Sequence, residues 1–132
     1  MHRSGCFGWC PIYTVTVGSS GKVSFDGENH VAKRGGSEWK ISRQDFDFLM
    51  ESLEHIGYFR WKETYRFEPD GCKQWWTDSP TVDIVVTRGE IKKQVSYYYG
   101  CKGIPEAAQL DWLSRTIDVV AKTYDVVGEG EF

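Results

Sequence analysis

The stretch Ile12-Tyr13-Thr14-Val15-Thr16-Val17-Gly18-Ser19-Ser20-Gly21-Lys22-Val23-Ser24-Phe25 decides the fold class, because it alternates, turns, and alternates again. In extended backbone, successive side chains point to opposite faces. Tyr13, Val15 and Val17 therefore share one side of a strand, and Ile12, Thr14 and Thr16 share the other. Gly18-Ser19-Ser20-Gly21 is turn chemistry, since glycine reaches positive φ without steric cost. Val23 and Phe25 return in phase, and Asp26-Gly27 gives a second turn signal that closes the strand. The result is a β-hairpin. A third short strand is expected around His30 to Lys33.

The pattern then changes period. Ser42 is a natural N-cap, and Asp45 places acidic charge in the first turn, where it suits the helix dipole. Phe46, Leu49, Met50, Leu53 and Ile56 follow at three- and four-residue steps, one apolar stripe that Gly57 ends. Tyr58 and Phe59 are expected to cover the end of the core. Further on, Val82, Ile84 and Val86 alternate with Asp83, Val85 and Thr87. Arg88-Gly89-Glu90 turns the chain, and Ile91 to Tyr99 returns as a long strand. Gly103-Ile104-Pro105 announces a second helix with Pro105 at its first position. Leu110, Leu113, Ile117, Val120, Ala121 and Tyr124 form its stripe, and residues 128–132 are expected to fray.

Hairpin, helix, hairpin, helix is the order, so each half is an antiparallel pair followed by an amphipathic helix. Residue similarity between the halves is too weak to establish a duplication. Each helix has a single stripe to bury, and one face of a common antiparallel sheet serves both. The fold class is α+β, a two-layer sandwich forming one domain over residues 1–132 with an ordered core at residues 5–125. A net charge of −3 gives no basic face, which argues against nucleic acid and anionic membranes as partners. No apolar run approaches the roughly 20 residues that span a bilayer. Met1-His2-Arg3-Ser4-Gly5 is too short and polar for a leader.

Four cysteines, Cys6, Cys10, Cys72 and Cys101, allow three pairings, and the even count fits an oxidising compartment. In Cys6-Phe7-Gly8-Trp9-Cys10-Pro11, thiol redox chemistry would need an activated thiolate at a helix N-terminus or beside a cation. Here the segment leads into a strand, and its spacing is one residue longer than Cys-x-x-Cys. A thiolate metal cage would need a second close pair, and Cys72 and Cys101 are far apart in sequence. A structural cross-link is the preferred reading, with no metal and no cofactor. The local pairing is the simplest. Cys6 with Cys10 would fix the Phe7-Gly8-Trp9 loop, and Cys72 with Cys101 would bracket the second hairpin; a crossed arrangement stays open. The larger loop is worth about 3–4 kcal/mol on a chain-entropy argument.

Six Trp, seven Tyr and seven Phe are more rings than a core of this size absorbs, so some are expected on a surface platform. In Trp75-Trp76-Thr77-Asp78 the two adjacent Trp would point to opposite faces of a strand, one in the core and one exposed. Asp78, before Ser79-Pro80, is a natural turn-former. As a functional reading, Trp9, Trp75 and Trp76 with Asp78 make a binding patch, Trp being enriched at interface hot spots. His30 and His55 sit in no ligand or triad spacing. No nucleophile elbow, phosphate loop, dinucleotide fingerprint or zinc-protease motif is present, so no catalytic residue is assigned.

Cys6-Phe7-Gly8-Trp9-Cys10-Pro11-Ile12-Tyr13, Gly21 to Gly27 and Thr77-Asp78-Ser79-Pro80 resemble an uncharacterised bacterial domain family. Its members open with Cys-Phe-Gly-x-Cys-Pro-x-Tyr and carry a later Thr-Asp-x-Pro. Gly100-Cys101 is similar to members with an extra cysteine pair. The resemblance covers Gly5 to about Val120. It implies a domain of exported or lipid-anchored proteins and brings no activity, cofactor or catalytic residues. The expected function is a non-catalytic, monomeric binding domain, periplasmic or secreted, that engages a protein or cell-envelope component. A thiol redox enzyme using Cys6 or Cys10 is the alternative, a small inhibitor or immunity-type protein is a third, and a cytoplasmic residence stays open.

Overall fold

The alternating stretch becomes two paired strands, with Val15 opposite Phe25 and Val17 opposite Val23. The computed structural model describes residues 1–128, so the expected fraying of the tail beyond Gly128 lies outside the described residues. In chain order the strands are β1 (His2–Arg3), β2 (Ile12–Val17), β3 (Lys22–Asn29), β4 (Gly35–Lys40), β5 (Thr64–Tyr65), β6 (Gln74–Trp75), β7 (Thr81–Arg88), β8 (Ile91–Tyr98) and β9 (Cys101–Lys102). The helices are α1 (Arg43–Ile56), α2 (Ala107–Ala121) and the short α3 (Tyr124–Val127).

Asp26-Gly27 does not close β3, which continues to Asn29. Gly27 is required by a close approach instead: a Cβ there would sit 2.2 Å from the Lys33 carbonyl oxygen. The turn falls at His30 to Lys33, where a strand was expected. His30 is left-handed (φ 52°) and its N–H donates to Asn29 Oδ1 at 3.0 Å. The third strand is β4, whose Gly-Gly-Ser-Glu-Trp-Lys pairs antiparallel along β3.

One seven-stranded sheet results, ordered β4-β3-β2-β1-β7-β8-β5, with β6 and β9 forming a separate two-stranded ribbon. The sheet is mixed rather than purely antiparallel, because β5 runs parallel to β8. The hairpins do not meet directly; β1 joins them. His2 sits between Thr14 and Asp83, and Arg3 sits between Tyr13 and Val82.

Ser42 caps α1, its Oγ accepting from the Asp45 N–H at 3.0 Å, and Gly57 ends the helix in the left-handed region (φ 81°). Tyr58 is fully buried just beyond, its hydroxyl 2.8 Å from the carbonyls of Ile84 and Lys93. Pro105 lies in the turn before α2, which begins two residues later at Ala107. Tyr124 is not part of the α2 stripe. Lys122 takes the left-handed conformation (φ 59°), breaking the helical period, and Tyr124 is exposed.

Both long helices lie on the same face of the sheet. Leu53 of α1 and Leu110 and Leu113 of α2 share one core with Val82, Ile84 and Val95. Ala121 of α2 shares a second with Tyr13, Val15 and Phe25. The architecture is two-layer α+β. The outer face, with Thr14, Thr16, Ser24 and Val85, is half-buried or exposed.

Candidate functional site

Two cross-linked segments carry the exposed rings. Cys6 and Cys10 form a disulfide with a Cα–Cα distance of 5.6 Å. This small ring turns Phe7 and Trp9 outward, 88% and 83% exposed, far more than apolar side chains of this size usually are. Gly8 allows the reversal, at a φ of 139° that a side chain rarely adopts. Trp9 meets His30 edge-on, ring centroids 4.5 Å apart.

The second segment is pinned by Cys72–Cys101, with a Cα–Cα distance of 5.1 Å and both residues buried. In the ribbon, Trp75 pairs with Cys101 and Gln74 with Lys102. Trp75 and Trp76 are both exposed, at 47% and 58%, which corrects the expectation that one of them is core. Opposite-face logic buries one ring only where a sheet face is covered, and neither residue of β6 is buried. The rings find lateral company instead. Trp75 lies 5.7 Å from the Phe67 ring and 5.9 Å from Tyr98. The Lys102 ammonium sits 4.8 Å from the Trp76 ring. Gly100 permits this packing: the Trp76 carbonyl oxygen and the Tyr98 ring come so near that a Cβ would lie 2.2 Å from each.

A main-chain bond joins the two segments. The Phe7 N–H donates to the Asp78 carbonyl at 3.3 Å, and Asp78 holds a left-handed φ of 62°. The Tyr98 hydroxyl fixes the connecting turn by donating to the Trp76 carbonyl and accepting from the Ser79 N–H. Trp75, Trp76 and Asp78 thus occupy one segment, tied to the Cys6–Cys10 loop, with Trp9 on that loop beside His30. Phe7, on the small ring, and Phe67, whose ring lies beside Trp75, are also exposed and were missed by sequence reasoning. Phe7 had a signal, its place inside the small ring; Phe67, 53% exposed, had none.

The densest group of titratable side chains lies elsewhere and is closed. Asp118 on α2 accepts from Arg3 Nη2 at 2.8 Å, Arg3 Nε at 3.1 Å, the Tyr13 hydroxyl at 2.6 Å and the Thr123 hydroxyl at 2.7 Å. All four residues are buried. Burial and the Asp118 charge push the Tyr13 phenol well above its usual range. Burial works against the Arg3 charge, but the attraction of Asp118 outweighs it and the guanidinium is held more firmly protonated. These groups lock β1 and β2 to α2 and present no open face to a reactant. The sequence did hold a hint, since Asp118 stands in helical phase with Ser114 and Ala121 on the buried side.

A cleft of about 530 Å³ nearby is lined by Tyr97, Tyr99, Asp111 and Arg115. Burial, then Tyr99 and Asp111, push the Tyr97 phenol to about 12. Arg115 donates to Asp111 at 3.0 Å, and the Tyr99 hydroxyl lies 2.9 Å from Ser114 Oγ. His55 is exposed at the end of α1. Among the described residues, no group of three or more His, Cys, Asp or Glu side chains is placed to hold a metal ion.

A family model described as Domain of unknown function (DUF6438) matches residues 1–121, and the chain belongs to that family. No curated protein and no solved structure matches the chain.

Proposed function

We propose that this member of the family is a non-catalytic binding domain that engages a protein or envelope partner outside the cytoplasm through its exposed rings. One observation carries the reading. Phe7, Trp9, Trp75 and Trp76 are all exposed, yet two disulfides and the Phe7–Asp78 bond hold their segments in place. Exposed aromatics normally cost solubility and are not retained as a fixed surface without use. Pre-ordering lowers the entropy lost when such rings dock. Asp78 and Lys102 supply polar groups at the margin, as interfaces with apolar centres have.

Two paired sulfur bridges are compatible with an oxidising compartment, and no helix among the described residues is long and apolar enough to cross a membrane. The test is cross-linking and affinity capture with the unreduced protein, comparing the wild-type chain with a variant carrying Phe7→Ala, Trp9→Ala, Trp75→Ala and Trp76→Ala. The variant is expected to stay folded, with a thermal midpoint several degrees lower, and to lose its captured partners. An identical set of partners would remove the reading. A thiol titration covers the redox alternative: a reactive thiolate of lowered pKa at Cys6 or Cys10 would favour it.

A further inference from the structure

The cleft of about 530 Å³ beside Tyr97 holds donors that have nothing to donate to. Its walls are the rings of Tyr97 and Tyr99, the chain at Pro80 and Thr81, and Pro11 after the small disulfide ring. Ala107 and Ala108 line it as well, so the first turn of α2 opens onto the cleft. The earliest N–H groups of a helix have no acceptor inside the helix and need one from elsewhere. No side chain caps α2. The Ala107 N–H reaches the Ile104 carbonyl at 3.4 Å, and the Ala108 N–H has no acceptor among the described residues.

A second donor stands beside this helix end. Tyr97 is only 4% exposed, yet its hydroxyl makes no hydrogen bond with any described residue. Its neighbour Tyr99, ring centroids 4.8 Å apart, is satisfied by Asp111 at 3.3 Å and Ser114 at 2.9 Å. Among the described residues, the side-chain oxygen that is both sealed from solvent and unpartnered is Ser37 Oγ, so the Tyr97 oxygen is reached from the cleft it lines. A donor left unpaired in a largely buried place is costly, and a ligand that accepts from it recovers that cost.

Charge selects the ligand. Arg115 is matched by Asp111 at 3.0 Å, and Arg3, at the back of the cleft, by Asp118 at 2.8 Å. Lys102 also lines the cleft, and the contact of its ammonium is the Trp76 ring and not a carboxylate. One positive charge is thus left over, beside the positive end of the α2 dipole. That surplus suits a single negative charge, while the tyrosine rings and the two prolines suit an apolar body.

We infer that this cleft binds a carboxylate attached to an aromatic or apolar body, its oxygens accepting from the Tyr97 hydroxyl and the Ala108 N–H while Lys102 supplies the opposite charge. A free organic acid and the C-terminal carboxylate of a peptide share this chemistry. The site goes beyond the aromatic surface proposed above and needs none of its exposed rings.

The test is an NMR titration of the wild-type protein, read at backbone amides, with phenylacetate, N-acetyl-Ala-Phe, the uncharged amide of each, and inorganic phosphate. A carboxylate is expected to saturate with Ala108 among the largest shifts, and its amide to bind at least roughly tenfold more weakly. The tighter of the two acids identifies the source. Tyr97→Phe removes one oxygen and keeps the ring. It is expected to weaken the carboxylate roughly tenfold or more without lowering the thermal midpoint, because that hydroxyl holds nothing in the free protein. Lys102→Gln is expected to weaken it as well. The inference is overturned by the absence of a saturable shift at Ala108 with either acid up to about 10 mM. Equal binding of acid and amide, tighter binding of phosphate, or unchanged affinity in either variant would overturn it too.

Discussion

The aromatic surface and the Arg3–Asp118 cluster reverse the usual placement of residues. Phe7, Trp9 and Trp76 stand in water, while an arginine, an aspartate and a tyrosine hydroxyl lie inside. Hydropathy alone would exchange them. What decides is whether each group finds partners. The charges are buried because each carboxylate oxygen of Asp118 accepts from two donors, Oδ2 from the Arg3 guanidinium and Oδ1 from the Tyr13 and Thr123 hydroxyls. The rings are exposed because short covalent and main-chain ties hold their segments off the sheet, with no layer above them.

The largest effect should come from unbalancing the inside. Asp118→Ala leaves the Arg3 charge buried without its carboxylate, and breaking one side of such a pair costs about 3–5 kcal/mol. Chemical denaturation is expected to show that loss with the slope unchanged. Asp118→Asn is expected to recover part of it, since an amide oxygen still accepts from Tyr13 and Thr123. A loss under about 1 kcal/mol for the alanine would mean that the cluster is not a lock, and the comparison would fail.

Next comes the buried bridge. Replacing Cys72 and Cys101 together by alanine frees a loop spanning a sequence separation of 29. It is expected to cost about 3–4 kcal/mol. At this size each kcal/mol moves the thermal midpoint by about 3–5 °C. The matching change at Cys6 and Cys10, separated by only 4, is expected to cost about 2 kcal/mol or less on the same reasoning. The order of the two pairs is the informative outcome. A more costly small ring would mean that it braces the fold and does more than present Phe7 and Trp9.

The same contrast explains what was legible in the sequence. Both hairpins and α1 were readable because their periods are long and regular, and because Ser42 and Gly57 mark the ends of the helix. β1 was not, since a strand of two polar residues has no period. β4 was not, since Gly35-Gly36-Ser37 carries neither alternation nor branched side chains. Arg3 and Asp118 lie 115 positions apart, and only the fold brings them together. At the surface, the Cys6–Cys10 and Trp75–Asp78 strings were visible one by one. Their junction through the Phe7–Asp78 bond was not, and the alternation rule misplaced Trp75 and Trp76 because neither side of β6 is covered.

The smallest effect should appear where the molecule looks most unusual. Trp76→Ala removes a ring that is 58% exposed and has the Lys102 ammonium 4.8 Å away. An exposed cation–π contact contributes about 0.5–1 kcal/mol, and lost partial burial adds little beside it. Trp9→Ala removes a ring 83% exposed with His30 as its ring contact, so it should fall within about 0.5 kcal/mol of wild type. Thermal melts of the two variants, run beside Asp118→Ala, read both ends of the scale in one experiment. A Trp9 variant as unstable as the cysteine variants would make that ring a structural support in spite of its exposure. Near-neutral melts would instead leave the exposed rings without a part in holding the fold, so that any cost of changing them has to be looked for in binding.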